Sequence, residues 1–490
     1  MTPAQSALIE AVRTALGPKA VITDPAAIDP WLHDWRGRYH GATPAILAPD
    51  DTSGVATIVR LAAEHRVALV PQGGNTSMVG GATPPADGSA LILSLRRLDR
   101  VRSLDADDNL AIAEAGVILS DLHDAALAAG RRFPLTLGAK GSATIGGLSS
   151  TNAGGTQVLR FGTMRGLIAG VEAVLPDGLV HDGLSALKKD NRGYDLNQLL
   201  IGAEGTLGVI TAVTLRLVPA IAARAVAWIG LASPIDALTL LRRLEAHTQA
   251  IESFELLPDD SLAAVLRHVP QTRAPLAGDH PWHVLIEAVA TDRQAEPPAT
   301  LLERLLAPAL ETGLIADATI AASEAQAEAF WRIRDSISES ERATGPAAQH
   351  DISVPVAAMP RFMIDAAAAC DARFPGTHAS GFGHLGDGNV HFHVRAAPGT
   401  DPAHWYAEQA PVVTRFVHDL VVAAGGSISA EHGIGQMKLA ELERLSAPAR
   451  LAALRAIKAG LDPHGLMNPG KLVATPFAPL AALAPDAPKP

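Results

Sequence analysis

The sequence predicts an α+β protein of two or three packed units, and three observations carry that expectation. A chain of 490 residues exceeds what one hydrophobic core supports. Strand-like runs such as Ile251-ESFELL and Trp282-HVLIEAVA alternate with helical periods such as Ser233-PIDALTLLRRLEAH and Thr300-LLERLLAPALETG. Three glycine-rich runs punctuate the first half, where glycine lets backbone lie directly against a ligand.

Composition narrows the partners. A chain 48% hydrophobic and 19% charged is globular, and its net charge of −11 is spread rather than gathered in a tail. Nucleic acid and anionic membrane are therefore not expected as partners. Cys370 is the one cysteine, which excludes an internal disulfide and points to a reducing compartment. The N-terminal MTPAQSALIEAVRTALG mixes Glu10 and Arg13 into an amphipathic pattern, neither signal peptide nor span, so a cytoplasmic location is expected.

In order, Thr2 to Gly17 reads as a surface helix with Leu8, Val12 and Leu16 on one side. Asp29 to Thr43 has no period and reads as an irregular arm. Pro44-AILAP is a short strand, Ser53 is the expected N-cap of the next helix, and Val67-ALV is a buried strand. The loop after it, Pro71-QGGNTSMVGG, sets Gly73, Gly74, Gly80 and Gly81 where successive amides form an anion nest. It fits neither GxxxxGK[ST] nor GxGxxG. The second run, Leu137-GAKGSATIGGLSSTNAGG, suits a large planar or polyphosphate ligand lying against backbone. The third, Ile201-GAEGTLGVIT, leads into the strand Ala212-VTLRLVP. Together they imply one extended ligand touched from several sides.

Further on, Ser380-GFGHLGDGNVHFHV-Arg395 reads as a hairpin. Asp387-Gly388 suits a two-residue type I′ turn, which would set Gly386 opposite Asn389, Leu385 opposite Val390 and His384 opposite His391. Opposed Cβ atoms about 4.5–5.5 Å apart let two imidazoles share an ion, and His393 leaves from the same face. The plainer alternative is a hairpin whose histidines only hydrogen-bond in a core; two on one face with a third beside them favour metal.

PQGGNTSMVGG, GAKGSATIGGLSSTNAGG, Arg160-FGTMRG, Lys189-DNRGYDLNQLLIGAEGTLGVIT, GHLGDGNVH, AEHGIGQMK and LDPHGLMNPGKL resemble the FAD-linked oxidases of the vanillyl-alcohol-oxidase fold. Within that fold the chain is most similar to the D-2-hydroxyacid dehydrogenases, the group acting on D-2-hydroxyglutarate, D-lactate and glycolate. The resemblance runs from about residue 40 to 472 with the motifs in the same order.

The resemblance implies an N-terminal helix and arm over 1–40, an FAD-binding domain of two small α+β subdomains over 41–219, and an α+β cap with an antiparallel sheet over 220–465. A C-terminal segment over 466–490 ends in an Ala- and Pro-rich tail after Val473 that reads as disordered. FAD would meet Pro71, Gly73, Gly74, Asn75, Thr76, Ser77, Gly80 and Gly81 with its diphosphate. Its ring and ribityl chain would meet Gly138, Gly141, Ser142, Thr144, Gly147, Asn152, Gly154 and Gly155. Glu204, Gly205, Ile210 and Asn468 would complete the set. Some relatives bond FAD through a first-loop histidine; Asn75 and Thr76 are not such nucleophiles, so non-covalent FAD is expected.

For the chemistry, Phe330-WRIRDSISESER reads as one helix that puts Arg334 and Ser338 four residues apart on one face, and by resemblance both bind a substrate carboxylate. Gln349 stands where relatives often carry a lysine for the distal carboxylate, which is expected to weaken a dicarboxylate preference. Glu431 and His432 in Ala430-EHGIGQMK match the family's third metal ligand and catalytic base, and His384, His391 and Glu431 would hold Zn2+, with Mn2+ or Fe2+ also accommodated. His432 would take the substrate's hydroxyl proton while hydride leaves C2 for flavin N5. His393, open to a role as substrate contact, metal ligand or filler, is read as a substrate contact.

No nicotinamide fingerprint is present, so the expected electron acceptor is an electron-transfer flavoprotein, a cytochrome or a quinone; a homodimer is allowed. Two rivals stand beside this reading: a metal-dependent hydrolase whose glycine runs are structural, and a non-catalytic flavoprotein subunit. The joint presence of His384, His391, Glu431 and His432 argues against the second.

Overall fold

Burial follows the two periods of the sequence. In the computed structural model, which describes residues 1–474, helix Pro3–Leu16 begins with a capping box between Thr2 and Gln5 and buries Leu8, Ile9 and Val12. That stripe packs against helix Thr52–His65 through Val55, Ile58, Val59 and Ala62. The second helix is capped by Asp51, whose carboxylate accepts the Gly54 N–H at 2.7 Å, and not by the expected Ser53. Beside these helices lies a four-stranded sheet in the order Val21–Ile22, Ile46–Leu47, Ala90–Ser94, Ala68–Gln72. Its last three strands run parallel, and Ala90 to Leu93 are all buried, as a parallel core demands.

A second, antiparallel sheet orders Val101–Asp105, Leu110–Glu114, Val209–Arg216, Ile168–Val174 and Val180–Gly183. The third is antiparallel with seven strands: Asp317–Ile320, Ala223–Leu231, Trp282–Ala290, Ile251–Pro258, His378–His384, Asn389–Arg395 and Ala347–Ser353. Alternation along one strand divides its two cores. Ala225, Ala227, Ile229 and Leu231 face helices Pro234–Glu245 and Pro298–Glu311, while Val226 and Trp228 face Phe330 and Ile333 of helix Glu324–Asp335.

Two further local expectations are corrected. The hairpin does not turn on two residues: His384 pairs with Asn389 and Phe382 with His391, leaving a four-residue loop from Leu385 to Gly388. Leu385 donates to Phe254 O on the neighbouring strand, and a Cβ at Gly388 (φ +80°) would meet Val354 O at 2.1 Å, so neighbouring backbone dictates the turn. The helix expected through Phe330-WRIRDSISESER is two helices, Glu324–Asp335 and Ile337–Thr344, broken at Ser336. Ser336 competes poorly for helix interior, and Ile333 and Ile337 enter the same core from either side of the break.

The last described segment returns to the first sheet. Leu69 donates to Leu466 O and Asn468 donates to Leu69 O, both at 2.8 Å, so the C-terminal segment lies along strand Ala68–Gln72. The buried Lys458 anchors this return, with Nζ 2.7 Å from Thr206 O and 2.8 Å from Met467 O. Nearly all of the tail after Val473, predicted disordered, lies outside the described residues. Among the described residues no helix is long and apolar enough to cross a membrane.

Candidate active site

All three glycine runs meet in one cavity of about 670 Å³. Strand Ala68–Gln72 delivers the first run, which packs on the second backbone to backbone: a Cβ at Gly74 would lie 1.9 Å from Ser142 O. Of the residues assigned to the cofactor, Pro71, Gly73, Gly74, Asn75, Thr76, Ser77, Gly81, Gly138, Thr144, Gly147, Gly154, Glu204, Gly205 and Ile210 line the wall. Asn75 Oδ1 and Thr144 Oγ1 are buried there without a hydrogen-bond partner among the described residues, a state that a bound polar group would relieve.

Gly80, Gly141, Ser142, Asn152, Gly155 and Asn468 are not on the wall. Asn152 ends helix Ile145–Thr151 in the left-handed region, and its carboxamide oxygen accepts from Thr163 Oγ1 and the Arg165 N–H, both 2.9 Å. Asn468 ties two runs together by donating to Gly81 O at 3.0 Å and Glu204 O at 2.7 Å. Ser142 points its hydroxyl at Ala139 O. Glu204 reaches the wall with both oxygens committed, accepting the Ile434 and Gly435 N–H at 2.7 Å each, and burial raises its pKa.

The same cavity is lined as well by Trp35, Ser338, Arg342, Glu431 and His432. Behind them lies the face of the seven-stranded sheet that carries the remaining candidates. Glu255 pairs with His384, Phe382 with His391 and then Asp351, and Ser380 with His393 and then Gln349, so these side chains leave one face in rows. His384 and His391 are diagonal rather than opposite, with ring centroids 5.7 Å apart. Ligand atoms of His384, His391 and Glu431 lie within 4.8 Å of one another, and those of Asp351, Glu431 and His432 do so too. Asn389, opposite His384, keeps Oδ1 buried and unpartnered.

Charge is arranged tightly here. His384 Nδ1 sits 2.6 Å from Glu255 Oε1, and Arg334 Nε donates to the other oxygen at 2.7 Å. Burial would lower the His384 pKa, but Glu255 outweighs it and holds it above its ordinary value. Burial pushes Glu431 up to about 7, opposed by His384 and helped by Asp351 and Asp387. Burial lowers His432 to about 4 despite Asp351, whose Oδ2 lies 3.3 Å from its Nδ1. Asp351 in turn accepts the backbone N–H of Glu431 and His432, both 3.0 Å, and the Asn389 side chain at 3.0 Å.

Arg334 and Ser338 therefore do not act as one helix face: Arg334 is bound to Glu255 and lies off the cavity wall, while Ser338 is on it. His393 is also off the wall, turned to Glu341. Gln349 accepts from Arg36 Nη1 at 2.8 Å. Sequence reasoning missed Trp35, Arg36, Glu255, Arg342 and Asp351. Glu255 carried a readable signal, since a carboxylate inside the apolar strand IESFELLP must find a partner when buried.

A small-residue cradle for an extended cofactor, opening onto paired histidines and carboxylates held by an antiparallel sheet, defines a two-domain flavin-dependent oxidoreductase. The fold agrees: p-cresol methylhydroxylase with substrate bound superposes with a TM-score of 0.73 at 14% identity, covering 96% of this chain and 97% of that one. The family described as FAD linked oxidases, C-terminal domain, matches residues 221–472, and the FAD binding domain matches residues 43–183. The chain belongs to this FAD-linked oxidase family. Among its relatives, D-2-hydroxyglutarate dehydrogenase, mitochondrial, of Arabidopsis thaliana is 35% identical over 94% of this chain and 80% of its own. D-2-hydroxyglutarate dehydrogenase of Xanthomonas citri pv. viticola is 36% identical over 93% and 95%. The family membership removes the reading as a flavin-free hydrolase.

Proposed function

We propose that the protein oxidises a D-2-hydroxyacid to the 2-oxoacid, with FAD held non-covalently in the cavity and a divalent cation, Zn2+ foremost, on His384, His391 and Glu431. The observation that carries the reading is that His432 stands on the wall of the cofactor cavity, beside Glu431 and backed by Asp351. Relatives named for D-2-hydroxyglutarate dehydrogenation support the substrate class.

The cavity residues would hold FAD, which would supply the hydride acceptor, and His384, His391 and Glu431 would hold a divalent cation, which would supply a Lewis acid. The chain's residues do the rest. Asp351 favours a proton on His432 Nδ1, which leaves Nε2 to take the hydroxyl proton. The depressed His432 pKa keeps that nitrogen unprotonated near neutral pH. Glu255 holds the His384 ring by Nδ1, while Nε2 lies 3.3 Å from Arg334 Nη2 and 4.0 Å from Glu431 Oε1. Gly74 and its neighbours bring backbone to the cofactor. Reoxidation falls to a carrier other than nicotinamide: an electron-transfer flavoprotein, a cytochrome or a quinone.

Anaerobic addition of D-2-hydroxyglutarate or D-lactate to the yellow holoenzyme is expected to bleach the flavin band, while the L-isomers leave it; a band unmoved by both D-acids would overturn the reading. Acid precipitation is expected to release all of the colour, because the first glycine loop, residues 71–81, contains no histidine, cysteine or tyrosine to bond the flavin. Colour retained in the pellet would show a covalent bond.

A further inference from the structure

The loop that carries Glu431 and His432 is neither helix nor strand, and four of its backbone N–H groups go to two buried carboxylates from distant parts of the chain. Asp351, on strand Ala347–Ser353 of the seven-stranded sheet, accepts from Glu431 and His432. Glu204, in the third glycine run, accepts from Ile434 and Gly435. Just beyond, the Gln436 and Met437 N–H groups donate to Val79 O, both at 3.2 Å, and the Gln436 side chain donates to Gly80 O at 2.9 Å, in the first glycine loop. The site loop thus hangs between the sheet that carries the histidines and the cradle that faces the cofactor.

Glu204 is built into the cradle with little freedom. Its backbone sits at φ +52°, in the left-handed region that L side chains rarely adopt. The main chain is tied on both sides, its N–H donating to Ser150 O at 2.8 Å and its carbonyl accepting from Asn468 Nδ2 at 2.7 Å. The loop fits it as closely: a Cβ at Gly433 would lie 2.9 Å from Glu204 Oε1, and one at Gly435 would lie 2.3 Å from Val79 O. Lys438, which carries the opposite charge nearby, gives its ammonium to Ile428 O at 2.9 Å and not to this carboxylate. Each oxygen of Glu204 is therefore engaged by one amide of the loop, and a carboxylate holds such amides about twice as strongly as a neutral acceptor.

We propose that Glu204 is a positioning residue of the oxidation: by fixing the Ile434 and Gly435 amides from the cofactor cradle, it sets Glu431 and His432 against the flavin, rather than binding the flavin as a ligand. The inference rests on the 2-hydroxyacid dehydrogenase reading above, and it replaces the cofactor-binding role that resemblance implies for Glu204. Such a tie matters because a reacting group misplaced by about 1 Å can cost about a hundredfold in rate while the ligands still bind.

The test compares holoenzyme of the wild type and Glu204→Gln, which keeps the shape of the side chain but turns an NH2 group toward one of the two amides. Gly433→Ala presses on the same contact from the loop side and takes its place if Glu204→Gln does not fold. At saturating D-acid, the stopped-flow rate of flavin reduction is expected to fall about ten- to hundredfold, the loss of one charge-assisted hydrogen bond. Release of FAD from diluted holoenzyme should stay within about fivefold of wild type, which separates positioning from cofactor binding. Amide hydrogen exchange across residues 430–437, measured without substrate, is expected to quicken by about the same factor as reduction slows. A reduction rate within fivefold of wild type, FAD release accelerated more than fivefold, or unchanged exchange in the loop would each overturn the assignment. Wild-type flavin that neither D-acid reduces would overturn the underlying reading, and the exchange measurement would still show whether Glu204 holds the loop.

Discussion

Replacing His432 by alanine is expected to lower the rate of flavin reduction by about 10²- to 10⁴-fold, the span that a lost general base produces. The flavin itself should stay, because the cradle is made by the backbone of the glycine runs and His432 adds one side chain to the cavity wall. The residue is suited to the task on two counts. Burial keeps it neutral, so it is ready to accept a proton, and Asp351 stabilises the imidazolium that results. Stopped-flow reduction by the D-acid, with bound flavin measured in the same sample, separates chemistry from cofactor loss. A reduction rate within fivefold of wild type would move the base elsewhere, with Glu431, pushed up to about 7, as the next group to examine.

Removing divalent metal is expected to abolish turnover while the protein stays yellow. His384, His391 and Glu431 stand on the seven-stranded sheet and the loop that follows helix Ala410–Ala423, whereas the flavin cradle belongs to the first two sheets. Chelation should therefore strip one centre and spare the other, and Zn2+ or Mn2+ added back should restore oxidation. Asn389 Oδ1, buried and unpartnered opposite His384, is an oxygen of the kind such an ion satisfies. Full activity in protein shown by elemental analysis to hold no divalent metal would refute the assignment.

The parts of the site that were legible in the sequence are those whose signal is local. Glycine runs announce close backbone approach wherever they stand, and Gly73, Gly74, Gly147 and Gly154 are indeed on one wall. His384, His391 and Glu431 also come together, though the hairpin register was misread by the pull of Asp387-Gly388 toward a tight turn. That register depends on Phe254 and Val354, backbone of other strands that no local rule sees. Arg334 and Ser338 fall on separate helices for a related reason: helical spacing sets one face only if the helix is continuous, and Ser336 interrupts it. Asp351 and Arg36 were invisible because each acquires its meaning from a partner far away in the chain, His432 for one and Gln349 for the other. The fold class needed none of this, since the alternation of strand and helix periods is repeated many times over.

The return of the C-terminal segment to strand Ala68–Gln72 covers the edge of the first sheet late in synthesis. That strand is the outer member of its sheet, and its open side is covered only when Leu466 and Asn468 arrive. On the ribosome the first flavin loop emerges early, but it stands on an uncovered edge while the entire seven-stranded sheet is made. At about 5–20 residues per second that interval lasts tens of seconds. A chain cut short before Leu466 keeps the edge exposed beneath Gly73 and Gly74 and lacks the Asn468 tie to Gly81 and Glu204. The edge beneath the first glycine run is therefore the last part of the first sheet to be covered.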